Sequence, residues 1–179
     1  VNHVFQGLSA DTYTATITDA LGCTYQETIV LTTPPPINAS LLPASTMLAC
    51  YGDTSGVLEI DTVSGGEGVY QFQLLEYDPT GTTVAFQSGF QSNGRFPGLG
   101  AGIYAIRVSD GLGCDFTTPQ VTFTEPLEVL ASIVQAQAPT CTTEAEIRLT
   151  ATGGTGPYQY SIDGVSYTAL PPSNQLTIS

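Results

Sequence analysis

Residues 5–23 read FQGLSADTYTATITDALGC, and residues 96–114 read FPGLGAGIYAIRVSDGLGC. Nine of the nineteen positions are identical without a gap, at an offset of 91 residues. A second pair agrees: residues 65–72 read GGEGVYQF and residues 153–160 read GGTGPYQY, at an offset of 88. Cys50 and Cys141 are again 91 apart, as are Cys23 and Cys114. One period is therefore near 91 residues. That is too long for solenoid repeats of ~20–50 residues, in which each unit leans on its neighbours.

Within each repeat the patterning is that of strands. Ile103–Ser109 alternates, with Tyr104, Ile106 and Val108 on one face and Arg107 and Ser109 on the other. Thr12–Thr18 repeats it. Each run ends in Asp-x-x-Gly-Cys. The Asp19 or Asp110 carboxylate can accept from backbone N–H groups two or three residues on, and Gly22 or Gly113 can take positive φ. The next strands are expected at Tyr25–Leu31 and Phe116–Phe123. Further strands are read at Val57–Val63, Val69–Tyr77, Leu127–Val134, Ala145–Ala151 and Tyr158–Ile162. Broken alternation between Ile60 and Val63 suggests a one-residue bulge near Thr62. Gly65-Gly66 and Gly153-Gly154 read as turns.

The fold class is thus all-β. A period near 91 residues fits a small sandwich of ~100 residues, so the chain reads as tandem Ig-like β-sandwich repeats. Residues 1–34 are assigned to the C-terminal part of one repeat, 35–126 to a complete repeat and 127–179 to the N-terminal part of a third. Pro34–Pro36 and Glu125-Pro126 read as short joints. Each repeat is expected to take in and release the chain at opposite ends.

Composition excludes several functions. The chain has 19 Gly, 12 Pro, no Trp, and a net charge of −13, with Arg95, Arg107 and Arg148 as its basic side chains besides one His. Such a surface repels a phosphate backbone, so no nucleic-acid partner is expected. No apolar run reaches the ~20 residues of a membrane span, and Val1 opens without a leader. Both absences suggest a fragment that starts and stops inside repeats.

Catalysis finds little to work with. His3 is the single His and Lys is absent, so a nucleophile–base pair is missing. Glu59 with Asp61, and Glu144 with Glu146, are carboxylate pairs without a Trp platform for sugar. The chain is read as no enzyme. No cofactor is assigned; calcium is the one candidate ligand, through loop residues Asp53, Asp110 and Asp115, although no EF-hand spacing occurs. Asp61-Thr62-Val63 marks Thr62 as a candidate O-glycosylation site, and Asn38-Ala39-Ser40 matches an N-glycosylation acceptor.

Cys23, Cys50, Cys114 and Cys141 are expected to form disulfides, as in extracellular proteins. Three connectivities of four are open. Sequential or within-repeat pairing looks strained, because a disulfide needs Cα atoms within about 7 Å. Pairing between successive repeats, with partners outside this sequence, remains a third route. Zinc lacks a C-x-x-C and a second His.

Six motifs follow one another in order: Cys50-Tyr-Gly-Asp-Thr-Ser-Gly, Gly65-Gly66, Tyr70 with Phe72, Leu99-Gly-Ala-Gly-Ile-Tyr104, Asp110-Gly-Leu-Gly-Cys114 and Glu125-Pro126. Together they resemble the SprB-type repeat of gliding adhesins and other large surface proteins of the Bacteroidetes. Two departures stand out: Cys141 is followed by Thr-Thr-Glu, and the middle repeat carries a long insertion at Glu76–Arg95. The resemblance implies type IX secretion to the cell surface, a filamentous architecture, and adhesion or gliding. Expected partners are neighbouring repeats, an external surface or polysaccharide, and the type IX machinery, with no membrane insertion. The leading reading is a structural or adhesive stalk. A carbohydrate- or protein-binding module, and a secretion cargo held by its translocation machinery, are the alternatives. The insertion, with Phe86, Phe90 and Phe96, is either a contact surface or ordinary strands plus core.

Overall fold

The computed structural model describes residues 3–173 and 175–178. Every regular element among them is a strand, and every named strand pairing is antiparallel. No helix among the described residues is long and apolar enough to cross a membrane.

Strands β1 (Asp11–Thr18) and β2 (Thr24–Leu31) form a two-stranded hairpin in unbroken register from Asp11↔Leu31 to Thr18↔Thr24. The central body follows. One of its sheets is β3 (Asn38–Leu41), β4 (Gly56–Ser64) and β7 (Arg95–Leu99), in the order β3-β4-β7. The other contains β5 (Gln71–Tyr77), β6 (Val84–Gln87), β8 (Gly102–Ser109), β9 (Asp115–Thr117) and β10 (Val121–Phe123), in the order β10-β8-β5-β6 with β9 also on β8.

The two sheets share one core. Leu58, Phe96 and Leu99 from the first meet Phe72, Leu74, Ile106, Val108 and Phe123 from the second. Leu58, Ile106 and Val108 are fully shielded from solvent. The Phe123 ring meets Tyr104 edge-on, with centroids 5.9 Å apart at 70°, the arrangement the ring quadrupoles favour. The alternation of Tyr104, Ile106 and Val108 is thus the core face of β8.

Three local departures from regular strands have causes in the sequence. Asp61 is the extra residue between the pairs Ser40↔Thr62 and Leu41↔Ile60, a bulge at the site of the broken alternation. The strand expected at Phe116–Phe123 is split into β9 and β10. Pro119 lies in the gap and has no N–H for the ladder, while Thr118 turns inward and its hydroxyl accepts from the Ile106 N–H at 3.0 Å. In β2 the corresponding residue is Thr28, and the ladder runs through unbroken. At Pro43 the chain leaves β3 and crosses to the other sheet, where Met47 forms a parallel bridge with Thr124. The Leu48 N–H donates to the Thr124 carbonyl, and the Thr124 N–H to the Thr46 carbonyl, both at 2.8 Å.

The last segment holds β11 (Leu130–Gln137), β12 (Glu146–Thr152) and β15 (Gln175–Ile178) in the order β11-β12-β15, and a separate pair, β13 (Gln159–Tyr160) with β14 (Thr168–Ala169). The strand expected at Leu127–Val134 begins three residues later. Leu127 lies outside it because its carbonyl accepts from the Gly154 N–H at 2.6 Å. The strand expected at Tyr158–Ile162 is reduced to two paired residues. Ile162 is 83% exposed. Asp163 ends the run by accepting from the N–H groups of Val165 and Ser166, each at 2.8 Å.

Candidate functional site

The residues that recur along the sequence meet at one end of the central body. Asp110 is 3% exposed. One carboxylate oxygen accepts from the N–H groups of Leu112 at 2.8 Å and Cys114 at 3.1 Å, which shapes the β8–β9 turn. The other accepts from the Glu67 N–H at 3.1 Å, in the turn between β4 and β5. Backbone N–H donors, that of Glu67 foremost, hold this carboxyl below the usual range. Gly113, at φ 107°, closes the turn.

The β4–β5 turn is fixed from a second side. The Tyr70 hydroxyl donates to the Gly65 carbonyl, and the Gly66 N–H donates to the Pro35 carbonyl at 2.7 Å. Gly65 has φ 77°, and a Cβ there would lie 2.0 Å from the Pro36 carbonyl oxygen. The same clasp occurs further on. The Tyr158 hydroxyl donates to the Gly153 carbonyl, and a Cβ on Gly153 would lie 1.8 Å from the Glu128 carbonyl oxygen. Gly-Gly therefore stands where the incoming chain crosses the turn. Sequence reading identified the glycines and Asp110 as turn residues. It missed the tyrosine hydroxyls and the Glu67 N–H, which are brought in by the fold.

Asp19 repeats only half of this. It accepts from Leu21 at 2.9 Å and Cys23 at 2.8 Å, bonds led by that of Cys23 and lowering its pKa. Gly22 has φ 88°. The second acceptor contact comes four residues on, and not at two or three. Asp19 is exposed, with no turn packed across it among the described residues.

The cysteines require a correction. Among the described residues no two cysteines are bonded to each other. Cys23 and Cys114 sit in the hairpin turns after β1 and β8. Cys141 lies in the β11–β12 loop, and Cys50 in the loop before β4. Within the central body, Cys50 follows Leu48, which bonds Thr124 next to Phe123, the pairing partner of Gly102 at the start of β8, while Cys114 is past Ser109 at the other end. Eight residues of strand separate the two ends by ~23 Å, well beyond disulfide reach. The Cys114 thiol is raised above its usual pKa, first by its hydrogen bond to Asp110, then by burial and by neighbouring carboxylates. Under native, non-reducing conditions, a thiol-reactive dye should therefore label Cys23, Cys50 and Cys141 rapidly and Cys114 slowly. In denaturant all four should react; a count of two or none would restore the disulfides.

The remaining candidates are dispersed. Asp53 accepts from Ser55 (N–H 2.8 Å, hydroxyl 2.9 Å) and from the Ala49 N–H at 3.1 Å; its loop is at the opposite end from Asp110. Asp115 pairs with Arg107, and Glu59 with Arg95 at 3.1 Å. No three metal-binding side chains gather among the described residues. Thr62 is exposed and its hydroxyl is 2.7 Å from that of Ser40. Asn38 is exposed at the start of β3, and His3 is exposed near the N-terminus.

The insertion divides in two. Phe96 is 6% exposed and belongs to the core, whereas Phe86 and Phe90 are 55% and 46% exposed. Phe86 lies in β6, and after Phe90 the chain runs along β5, where the Gln91 and Phe72 backbones exchange two hydrogen bonds at 2.8 and 2.9 Å.

The family model of the SprB repeat matches residues 134–166. No curated protein and no solved structure matches the chain. Residues 134–166 thus carry a repeat of the surface-adhesin type, and they include the second Gly-Gly–tyrosine clasp.

Proposed function

We propose that the chain is part of a tandem array of Ig-like β-sandwiches with a period near 91 residues, serving as a structural or adhesive stalk of a large secreted cell-surface protein. The recurrence of the clasp carries this reading: Tyr70 on Gly65 and Tyr158 on Gly153 are the same contact, 88 residues apart. The central body supports it with a Greek-key order. Sheet β3-β4-β7 faces sheet β10-β8-β5-β6, and the first strand switches sheets at Pro43, as Ig-like sandwiches do. The chain enters this body beside Asp110 and leaves beside Gly102, at opposite ends of β8, so successive bodies extend in a row. The repeat match supports a surface role and a non-enzymatic one. Secretion by the type IX route accompanies that reading.

The exposed Phe86 and Phe90 favour a second reading, a carbohydrate- or protein-binding module, because exposed aromatic rings are common sugar and protein contacts. A glycan array probed with the full chain separates the two. A purely structural stalk should show no saturable binding. Saturable binding abolished by Phe86→Ala with Phe90→Ala would transfer the function to the insertion.

A further inference from the structure

Three places in the chain set an asparagine or aspartate before a glycine: Asn93-Gly94, Asp110-Gly111 and Asp163-Gly164. Such pairs are open to attack from within, because a glycine without Cβ leaves its own nitrogen unhindered beside the preceding side-chain carbonyl carbon. The fold treats the three pairs differently.

At both aspartates the glycine nitrogen is engaged. The Gly111 N–H donates to the Ser109 hydroxyl at 3.3 Å, and the Gly164 N–H to the Ser161 hydroxyl at 2.8 Å. The carboxylates are engaged as well. Asp110 accepts from the N–H groups of Glu67, Leu112 and Cys114. Asp163 accepts from those of Val165 and Ser166 and from the Ser161 hydroxyl at 2.8 Å. These donors, the Ser166 N–H foremost, hold the Asp163 carboxyl well below the usual range. A carboxylate stabilised in this way is a poor electrophile and offers no neutral leaving group.

Asn93 is arranged the other way. It is exposed, between the Gln91–Phe72 bridge and β7. Its amide is neutral and can release ammonia. Its side-chain carbonyl accepts from the Arg95 N–H at 3.0 Å. That bond folds the side chain back over the main chain at Gly94 in an Asx turn. It also sets a fixed donor on the oxygen where charge develops during attack. The backbone is held in place around this turn. The Gln91 side-chain amide donates to the Asn93 and Arg95 carbonyls at 2.6 and 3.1 Å, and the Gly94 carbonyl accepts from the Ile60 N–H at 3.0 Å. The Gly94 N–H itself donates to no acceptor among the described residues. Packing favours glycine here, since a Cβ would lie 3.0 Å from the Ile60 Cβ.

We propose that Asn93 is a site of spontaneous covalent modification, where the Gly94 nitrogen closes on the side-chain amide and the folded chain converts Asn93 to aspartate and isoaspartate. Hydroxide takes the Gly94 proton. The nitrogen bonds to the Asn93 Cγ, the Cγ–Nδ2 bond breaks, and Nδ2 leaves as ammonia with a proton from water. Water opens the resulting succinimide at Cγ to give aspartate, or at the main-chain carbonyl carbon to give isoaspartate. Either product carries a carboxylate where a neutral amide stood, close in sequence to Arg95 and its partner Glu59. Isoaspartate also lengthens the main chain between the Gln91 bridge and β7, at the end of the insertion that carries Phe90.

The test is peptide mapping of the full chain after prolonged incubation in mildly alkaline buffer, native and in guanidinium chloride. Trypsin cuts after Arg95, Arg107 and Arg148 and so places the three pairs in separate peptides. Deamidation is read as a mass change, and fragmentation assigns it to Asn93 or to Asn38. Isoaspartate is counted by methyl transfer from S-adenosylmethionine with an isoaspartyl methyltransferase. Asn93 should convert at least as fast in the native chain as in denaturant. Asp110 and Asp163 should isomerise only in denaturant. Asn38, followed by Ala39 and paired with Ser64, should stay intact in the native chain. Asn93→Gln keeps an amide but cannot close the same ring, and should abolish the change at this position. Two outcomes overturn the proposal: conversion of Asn93 several-fold slower in the native chain than in denaturant, or isomerisation of native Asp110 or Asp163 at the pace of Asn93. Neither bears on the glycan-array result.

Discussion

Phe123→Ala should destabilise the central body by about 4 kcal/mol, the middle of the range for removing a buried aromatic ring. The ring is 1% exposed and stacks edge-on against Tyr104. It also lies 3.1 Å from where a Cβ on Gly56 would be, so on that side the ring packs against backbone that has no side chain to fill the space. Urea unfolding followed by tyrosine fluorescence reads the effect. With a slope of about 1–3 kcal/mol/M, the midpoint should fall by more than about 1 M. Phe86→Ala is the control. Its ring is 55% exposed, and its removal should change stability by less than about 0.5 kcal/mol. Equal losses from both would place the core elsewhere.

Gly65→Ala should cost about 3 kcal/mol or more. Two effects add. A φ of 77° strains any side-chain-bearing residue by about 1–3 kcal/mol, and the new Cβ would meet the Pro36 carbonyl at 2.0 Å, where backbone must move. Gly98→Ala separates them. Gly98 has φ 81° but nothing within 4 Å of the added atom, so it should show the strain alone, about 1 kcal/mol. If the two variants lose the same stability, the close crossing at Pro36 is not a constraint. The unfolding midpoint again decides.

These two positions differ in how far they could be seen in the sequence. The all-β architecture was legible because period-2 alternation and Gly-rich turns are local signals. Tyr104, Ile106 and Val108 announced the core face of β8, and the slip between Ile60 and Val63 announced the bulge at Asp61. Gly65-Gly66 was legible as a turn. That the turn is crossed by Pro35 and Pro36 was not, since that contact joins residues far apart in sequence.

The misplacements have the same origin. Pro119 sits inside a run that reads as one strand, and only the unbroken β2 ladder shows what the proline interrupts. Leu127 looks like strand but is taken by Gly154. The cysteine spacing repeats because the turns repeat, and equal spacing carries no information on distance. Asp110 was recognised for its own turn, while its bond to Glu67 depends on β4 and β8 lying in facing sheets.

The crossover at Pro43 has a mechanical consequence. Residues 46–48 run parallel to the strand that leads out of the central body, bonded through Leu48 and Thr124, and the Gly52 N–H donates to the outgoing Glu125 carboxylate at 2.7 Å. Tension between the incoming Pro36 and the outgoing Glu125 acts along these strands. The bonds are then loaded together in shear, and none can be peeled open ahead of the others. Resistance to stretching is concentrated in this short parallel seam.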